Sequence, residues 1–229
     1  KHEGRKLEKF GGNIYVKEAL DNTECIMKEL LDESQLGIQG YTEAITVWMD
    51  ESQNVDSEEK KEILQKLYEK THVAMIYGAA GTGKTYLINH VSQFFDSHSK
   101  LFLANTNPAV ENLRRKVLAQ NCDFMTIRKY IMTKNVPVDV DVLIMDECSM
   151  VSNAEVLQKI NCKVMLLVGD TYQIESITFG NWFSMAKYFI PRYAWHELET
   201  PYRTKDEDLL TLWKKVRELH EDLTEHIVA

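Results

Sequence analysis

The sequence predicts an α/β fold, a parallel sheet with helices on both faces, and three observations predict it. Short, almost continuously apolar runs recur at 71–77 (THVAMIY), 100–106 (KLFLANT), 141–146 (DVLIMD) and 163–170 (KVMLLVGD). Segments with apolar residues at helical spacing alternate with them, at 85–95, 108–120 and 152–160. Strands buried on both faces read as such runs, and crossover helices are the connection that parallel neighbours need. The link between the first run and its helix, GAAGTGKT at 78–85, is rich enough in small residues to turn sharply from strand to helix.

The elements follow in order. Two helix-compatible stretches, EALDNTECIMKELLDES (18–34) and YTEAITVWMDES (41–52), flank a GIQG turn at 37–40. They predict a small N-terminal helical appendage over 1–55, with one domain over 56–229. Ile45, Trp48 and Met49 sit at helical spacing and are expected to pack against the main body. Ser57 before EEKKEILQKLYEK predicts a capped helix with Glu58 and Glu59 in its first turn, where the helix dipole favours acids. Pro108 opens the helix after the second strand. A short strand near AWHELE (194–199) and a final helix over 206–223 complete the pattern.

With 229 residues and 44% hydrophobic content, the chain can bury a core unaided. No apolar run approaches the length of a membrane span, and KHEGRKLEKF lacks the apolar centre of a signal peptide, so a cytoplasmic protein is expected, with no membrane partner. Cys25, Cys122, Cys148 and Cys162 lie far apart with no CxxC pair, which argues for reduced thiols rather than a zinc ribbon or disulfide framework. The net charge of −8 is unevenly placed: residues 1–60 hold 14 acids against 7 basic residues, the remainder 21 against 20. The nearly neutral remainder leaves room for a local basic groove that could meet phosphates.

Gly78, four residues, then Gly83, Lys84 and Thr85 is the P-loop spacing. Backbone N–H groups along Gly78, Ala79, Ala80, Gly81, Thr82 and Gly83 can curl around a phosphate, Lys84 can reach the β- and γ-phosphates, and the Thr85 hydroxyl can hold Mg²⁺. The helix that begins there points its positive end at the anion. In an open parallel sheet the site lies beyond the carboxyl ends of the strands, and acids stand there. Asp146 closes one apolar run as a candidate Mg²⁺ ligand, and Glu147 follows as a candidate general base for the attacking water. After the next run, GDTYQ brings Gln173, whose amide can bond both a γ-phosphate oxygen and that water. TPYRT (200–204) adds Arg203 for the γ-phosphate and Tyr202 to stack on a base or pack internally.

These segments in this order resemble superfamily 1 helicases, most closely the RecD-like branch: GAAGTGKT (78–85), NTNPAVENL (105–113), MTIRKY (125–130), DVLIMDECSMV (141–151), LLVGDTYQIESITFGNWF (166–183) and LETPYRT (198–204). The resemblance covers about residues 57–220. It implies a RecA-like P-loop NTPase domain, the first of two in an ATP- and Mg²⁺-dependent motor that moves along single-stranded DNA, with RNA as an alternative track. It makes Lys84, Glu147, Gln173 and Arg203 the catalytic residues and Thr85 and Asp146 the metal ligands. Asn107, Pro108, Thr126, Arg128 and Trp182 become candidate nucleic-acid contacts, an aromatic side chain stacking on a base; for Trp182 the alternative is burial in the core.

The chain departs from that pattern in two places. The family's adenine-reading glutamine falls where this sequence has Lys60, so the resemblance does not carry adenine selectivity over. Few residues separate the 108–120 helix from 141–151, leaving little room for an inserted strand-splitting pin. The family's second RecA-like domain is expected in cis or from a partner, and these 229 residues alone are expected to hydrolyse ATP slowly, since an arginine finger contributes about 10³–10⁵ in rate. Two other classes remain open from the residues: an NTP-dependent switch or defence-type ATPase that tracks no nucleic acid, and a non-catalytic nucleotide-binding module. A GTPase is disfavoured by the lack of an NKxD-type guanine reader, and a small-molecule kinase by the lack of a second substrate motif.

Overall fold

The computed structural model describes residues 6–52, 55–133, 139–156, 161–172 and 181–202, with single positions 208, 211, 212 and 215. The chain opens with a hairpin of β1 (Leu7–Phe10) and β2 (Asn13–Val16), paired antiparallel. Gly11 and Gly12 form its turn at φ 57° and 88°, the positive-φ pair that a two-residue hairpin turn needs. Then come α1 (Lys17–Glu33), α2 (Tyr41–Ser52) and α3 (Glu58–Lys66). The Ser57 hydroxyl accepts from the Lys60 N–H at 3.3 Å, the cap the sequence predicts.

The body alternates strand and helix: β3 (Val73–Gly78), α4 (Lys84–Phe94), β4 (Lys100–Ala104), α5 (Asn107–Lys116), β5 (Cys122–Thr126), α6 (Ile127–Met132), β6 (Asp139–Met145), α7 (Asn153–Val156), β7 (Asn161–Gly169), α8 (Trp182–Ala186) and β8 (Trp195–Leu198). Six strands form one sheet in the order β5-β4-β6-β7-β3-β8, all pairs parallel. This is the α/β P-loop NTPase-like fold that the apolar runs predict. The helix expected over 152–160 is seen as α7, its remainder lying outside the described residues, as does nearly all of the helix expected over 206–223.

Alternation along each strand divides the core between the two faces. Ala74, Ile76, Phe102, Val142, Ile144 and Leu166 face α2, α3, α4 and α5, while Met75, Tyr77, Leu101, Leu103, Leu143 and Leu167 face α1 and α8. Residues 1–55 therefore contribute to both cores: Ile26, Met27 and Leu30 of α1 enter one, Tyr41, Ile45 and Met49 of α2 the other. Trp48 packs edge-on against Phe94 at 6.0 Å, so the apolar stripe of α2 faces the body as expected. The four cysteines are free thiols. Among the described residues no helix is long and apolar enough to cross a membrane.

Candidate nucleotide site and nucleic-acid edge

All six strands run parallel, so their carboxyl ends share one edge, and the candidate residues that the structure describes gather there, with the exception of Trp182. The 78–85 loop joins β3 to α4. Gly78 is buried, and a Cβ on it would stand 2.7 Å from Thr82 Oγ1 and 3.0 Å from the Leu198 carbonyl, a space only glycine fits. Thr82 ties the loop to itself, its hydroxyl donating to the Ala79 carbonyl at 2.9 Å. Gly83 caps α4 in the left-handed region at φ 86°. The Lys84 ammonium reaches back across the loop to the carbonyls of Gly78 at 2.7 Å and Ala79 at 2.9 Å. Ala79, Ala80, Gly81 and Thr85 complete the turn, and the Tyr86 and Leu87 N–H groups donate to the Gly83 carbonyl at 3.0 and 3.1 Å as α4 begins; a helix start is an anion site because its earliest N–H groups have no carbonyl one turn back.

Asp146 and Glu147 follow β6, two positions across the sheet from β3 with β7 between. Both are half-buried. Glu147 adopts a left-handed backbone (φ 58°, ψ 37°), an uncommon conformation for a non-glycine residue, and its N–H donates to Asp146 Oδ1 at 2.9 Å. Burial raises the Asp146 carboxyl above its ordinary range, opposed by that N–H bond and by Lys84 and Lys116. Glu147 is raised by burial and then by the Asp146 charge, with Lys84 opposing. Glu147 Oε2 is buried with no hydrogen-bond partner. Two adjoining carboxyls, one with an orphaned oxygen, make a negative site that a divalent cation fits. Among the described residues no group of three or more His, Cys, Asp or Glu could hold a metal; Mg²⁺ needs none, since it keeps waters and takes one or two carboxylates with substrate phosphate.

On the other side of β3, the 199–202 segment leaves β8 and is strapped down at both ends. Glu59 Oε1 of α3 accepts from the Glu199 N–H at 2.7 Å and the Thr200 N–H at 3.4 Å, and the Tyr202 N–H donates to the Gly81 carbonyl at 2.8 Å. Sequence reasoning did not find Glu59: its place in a helix first turn accounts for an acid, and a contact with residues 140 positions away leaves no local signal. Tyr202 thus stands beside the phosphate loop, whereas Gln173 and Arg203 lie outside the described residues.

The candidate nucleic-acid contacts divide. Asn107 and Pro108 are exposed at the start of α5, past β4, with the Thr106 hydroxyl capping the helix by accepting from the Ala109 N–H at 3.3 Å. Thr126 ends β5, the neighbour of β4 in register Ala104↔Thr126, and its hydroxyl accepts from the Lys129 N–H at 3.2 Å. Arg128 is exposed in the next turn. These four lie past the carboxyl ends of β4 and β5, the strands on the side of β6 away from β3. Trp182 does not join them, and its proposed contact is corrected: the ring is fully buried in the core under α8, its Nε1 donating to the Val151 carbonyl at 2.9 Å.

Trp182→Ala is accordingly expected to cost about 3–5 kcal/mol of stability, from the cavity and the stranded Val151 carbonyl. Urea unfolding measures this. A fall in single-stranded DNA affinity with the unfolding midpoint unchanged would reverse the correction.

No curated protein matches the chain. Among solved structures, it is similar to that described as two coordinating Pif1 helicases unwinding forked double-stranded DNA, at 16% identity and a TM-score of 0.49, covering 71% of this chain and 48% of that one. Pif1 helicase from Bacteroides in complex with ADP-AlF3 and single-stranded DNA gives 16% and 0.49 over 72% and 46%. Pif1 helicase from Candida albicans gives 20% and 0.45 over 71% and 44%. The chain spans about half the length of these proteins. The sequence family described as "AAA domain" matches residues 55–227, from α3 through the loop, the carboxylate pair and the 199–202 strap, and the chain belongs to that family.

Proposed function

We propose that this chain is the ATP-binding and hydrolysing motor domain of a superfamily 1, RecD-like DNA helicase or translocase acting on single-stranded DNA, completed by a second RecA-like domain in cis or from a partner. The observation that carries the reading is the order of sites along one sheet edge: phosphate loop after β3, acidic pair after β6, exposed Asn107, Pro108 and Arg128 after β4 and β5. A nucleotide site and a strand-binding surface on neighbouring strand ends can be coupled by small shifts of the loops between them.

In this reading the backbone of residues 78–83 and the Lys84 ammonium bind the β- and γ-phosphates, Lys84 exchanging its two loop carbonyls for phosphate oxygens. Thr85 and Asp146 would hold Mg²⁺, which supplies charge neutralisation at the phosphate oxygens. Glu147, aimed by its left-handed backbone, takes the proton of the attacking water, and Gln173 and Arg203 contact the γ-phosphate. Asn107, Pro108, Thr126 and Arg128 position the DNA backbone, RNA being the alternative track.

The test is Mg·ATP hydrolysis with and without oligo(dT). Stimulation by the oligonucleotide is expected, and hydrolysis indifferent to it favours an NTP-dependent switch instead. Arg128→Ala is expected to weaken oligo(dT) binding uniformly across sequences and to reduce the slope of log affinity against log salt by about 0.7, one phosphate contact on a single strand. Fluorescence anisotropy over a salt series measures it, and an unchanged slope removes Arg128 from the surface.

A further inference from the structure

Beside the phosphate loop, on the side away from Asp146, Lys60 is wholly buried. Its Nζ lies 2.8 Å from both carboxylate oxygens of Asp56 and 4.1 Å over the Tyr202 ring, with the Tyr86 ring at 5.7 Å. The contact with the loop is equally close: a Cβ on Gly83 would stand 2.8 Å from Lys60 Nζ. Tyr202 and Tyr86 nonetheless keep 43% and 59% of their surface exposed.

The sheet order fixes which part of a nucleotide would meet this cluster. With the γ-phosphate toward Asp146 and Glu147 across β7, ribose and base leave the loop on the opposite side, toward β8 and the start of α4, where Tyr86 and Tyr202 stand. Reading a base edge takes a polar group free to face it: an amide matches adenine N6 and N7, an ammonium matches guanine O6 and N7. Lys60 has no acceptor, and its ammonium is already held by Asp56 and by the tyrosine face. Withdrawing it to meet a base would strand a carboxylate and open an ion pair sealed from water on the lysine side, a change that is costly when one partner is buried. What remains for the base is aromatic surface, and stacking tolerates every base because every base has a π-face.

We infer that this site recognises the triphosphate and a stacked ring but not the base edge, so that purine and pyrimidine nucleoside triphosphates are accepted alike, with Lys60 the residue that withholds the base contact. The inference rests on the phosphate-loop reading proposed above and adds the substrate class.

Competition binding of Mg·ATP, GTP, CTP and UTP to the whole chain tests it, with inorganic tripolyphosphate as the base-free probe. The four affinities are expected within about threefold of one another, and tripolyphosphate about fivefold or more weaker, the low end of what one stacked base contributes. A tenfold preference for any one base overturns the inference and leaves the phosphate-loop reading standing; failure of all five to bind overturns both. Lys60→Gln combined with Asp56→Asn, which leaves no stranded charge, is expected to shift selectivity toward ATP over GTP by about fivefold or more. A folded variant with unchanged selectivity overturns the role of Lys60; if the variant does not fold, the panel on the native chain decides.

Discussion

Lys84→Ala is expected to lower hydrolysis of Mg·ATP by about 10²–10³ in kcat/KM, the scale on which removing one preorganised donor to developing charge acts. The ammonium crosses the loop to the Gly78 and Ala79 carbonyls, and its charge opposes the rise that burial imposes on the Asp146 and Glu147 carboxyls. Its removal takes a cation out of a site that carries two acids and is proposed to receive a polyanion. The two hydrogen bonds to the loop carbonyls are worth about 1 kcal/mol each, and the strand and helix that bracket the loop stay held by the sheet cores. Steady-state hydrolysis and urea unfolding measured on the same preparation separate the two effects. Native turnover in the variant would mean that the 78–85 loop is not where phosphate is cleaved.

Glu147→Gln is expected to lower kcat by about 10²–10⁴ while leaving nucleotide affinity within a fewfold of native. The amide keeps the shape of the side chain and the left-handed backbone but cannot take a proton from water. The thermal midpoint is expected to hold or rise, since the substitution removes a carboxyl that burial and the Asp146 charge both disfavour. Single-turnover hydrolysis with a parallel binding measurement checks the split. Loss of affinity equal to the loss of rate would make Glu147 a binding residue rather than the base.

The sheet was legible because its strands are buried on both faces, so Val73–Gly78, Asp139–Met145 and Asn161–Gly169 read as apolar runs with little interruption. β5 was not legible: Cys122–Thr126 is an edge strand, half-exposed along its length, and mixes Asp and Thr with its apolar residues. The hairpin at 7–16 did carry a signal, Gly11-Gly12 between LEKF and NIYV, which the helical pattern that follows outweighed. Of the candidate site, the loop and the acidic pair stand where the sequence pattern predicts them, directly after β3 and β6. The Lys60, Asp56 and Tyr202 cluster does not: three residues distributed over more than 140 positions meet only after β8 has paired with β3. Trp182 shows the opposite error, an aromatic in a recognised segment whose helix turns it inward.

The proposed motor requires coupling between the nucleotide and nucleic-acid surfaces, and reciprocity makes that coupling measurable at equilibrium. Anisotropy of labelled oligo(dT) with the chain alone, with Mg·ADP and with a non-hydrolysable Mg·ATP analogue compares the three states directly. With coupling, affinities are expected to differ severalfold between nucleotide states and to fall with salt in each. Equal affinity in all three states, or binding that salt leaves unchanged, would contradict it.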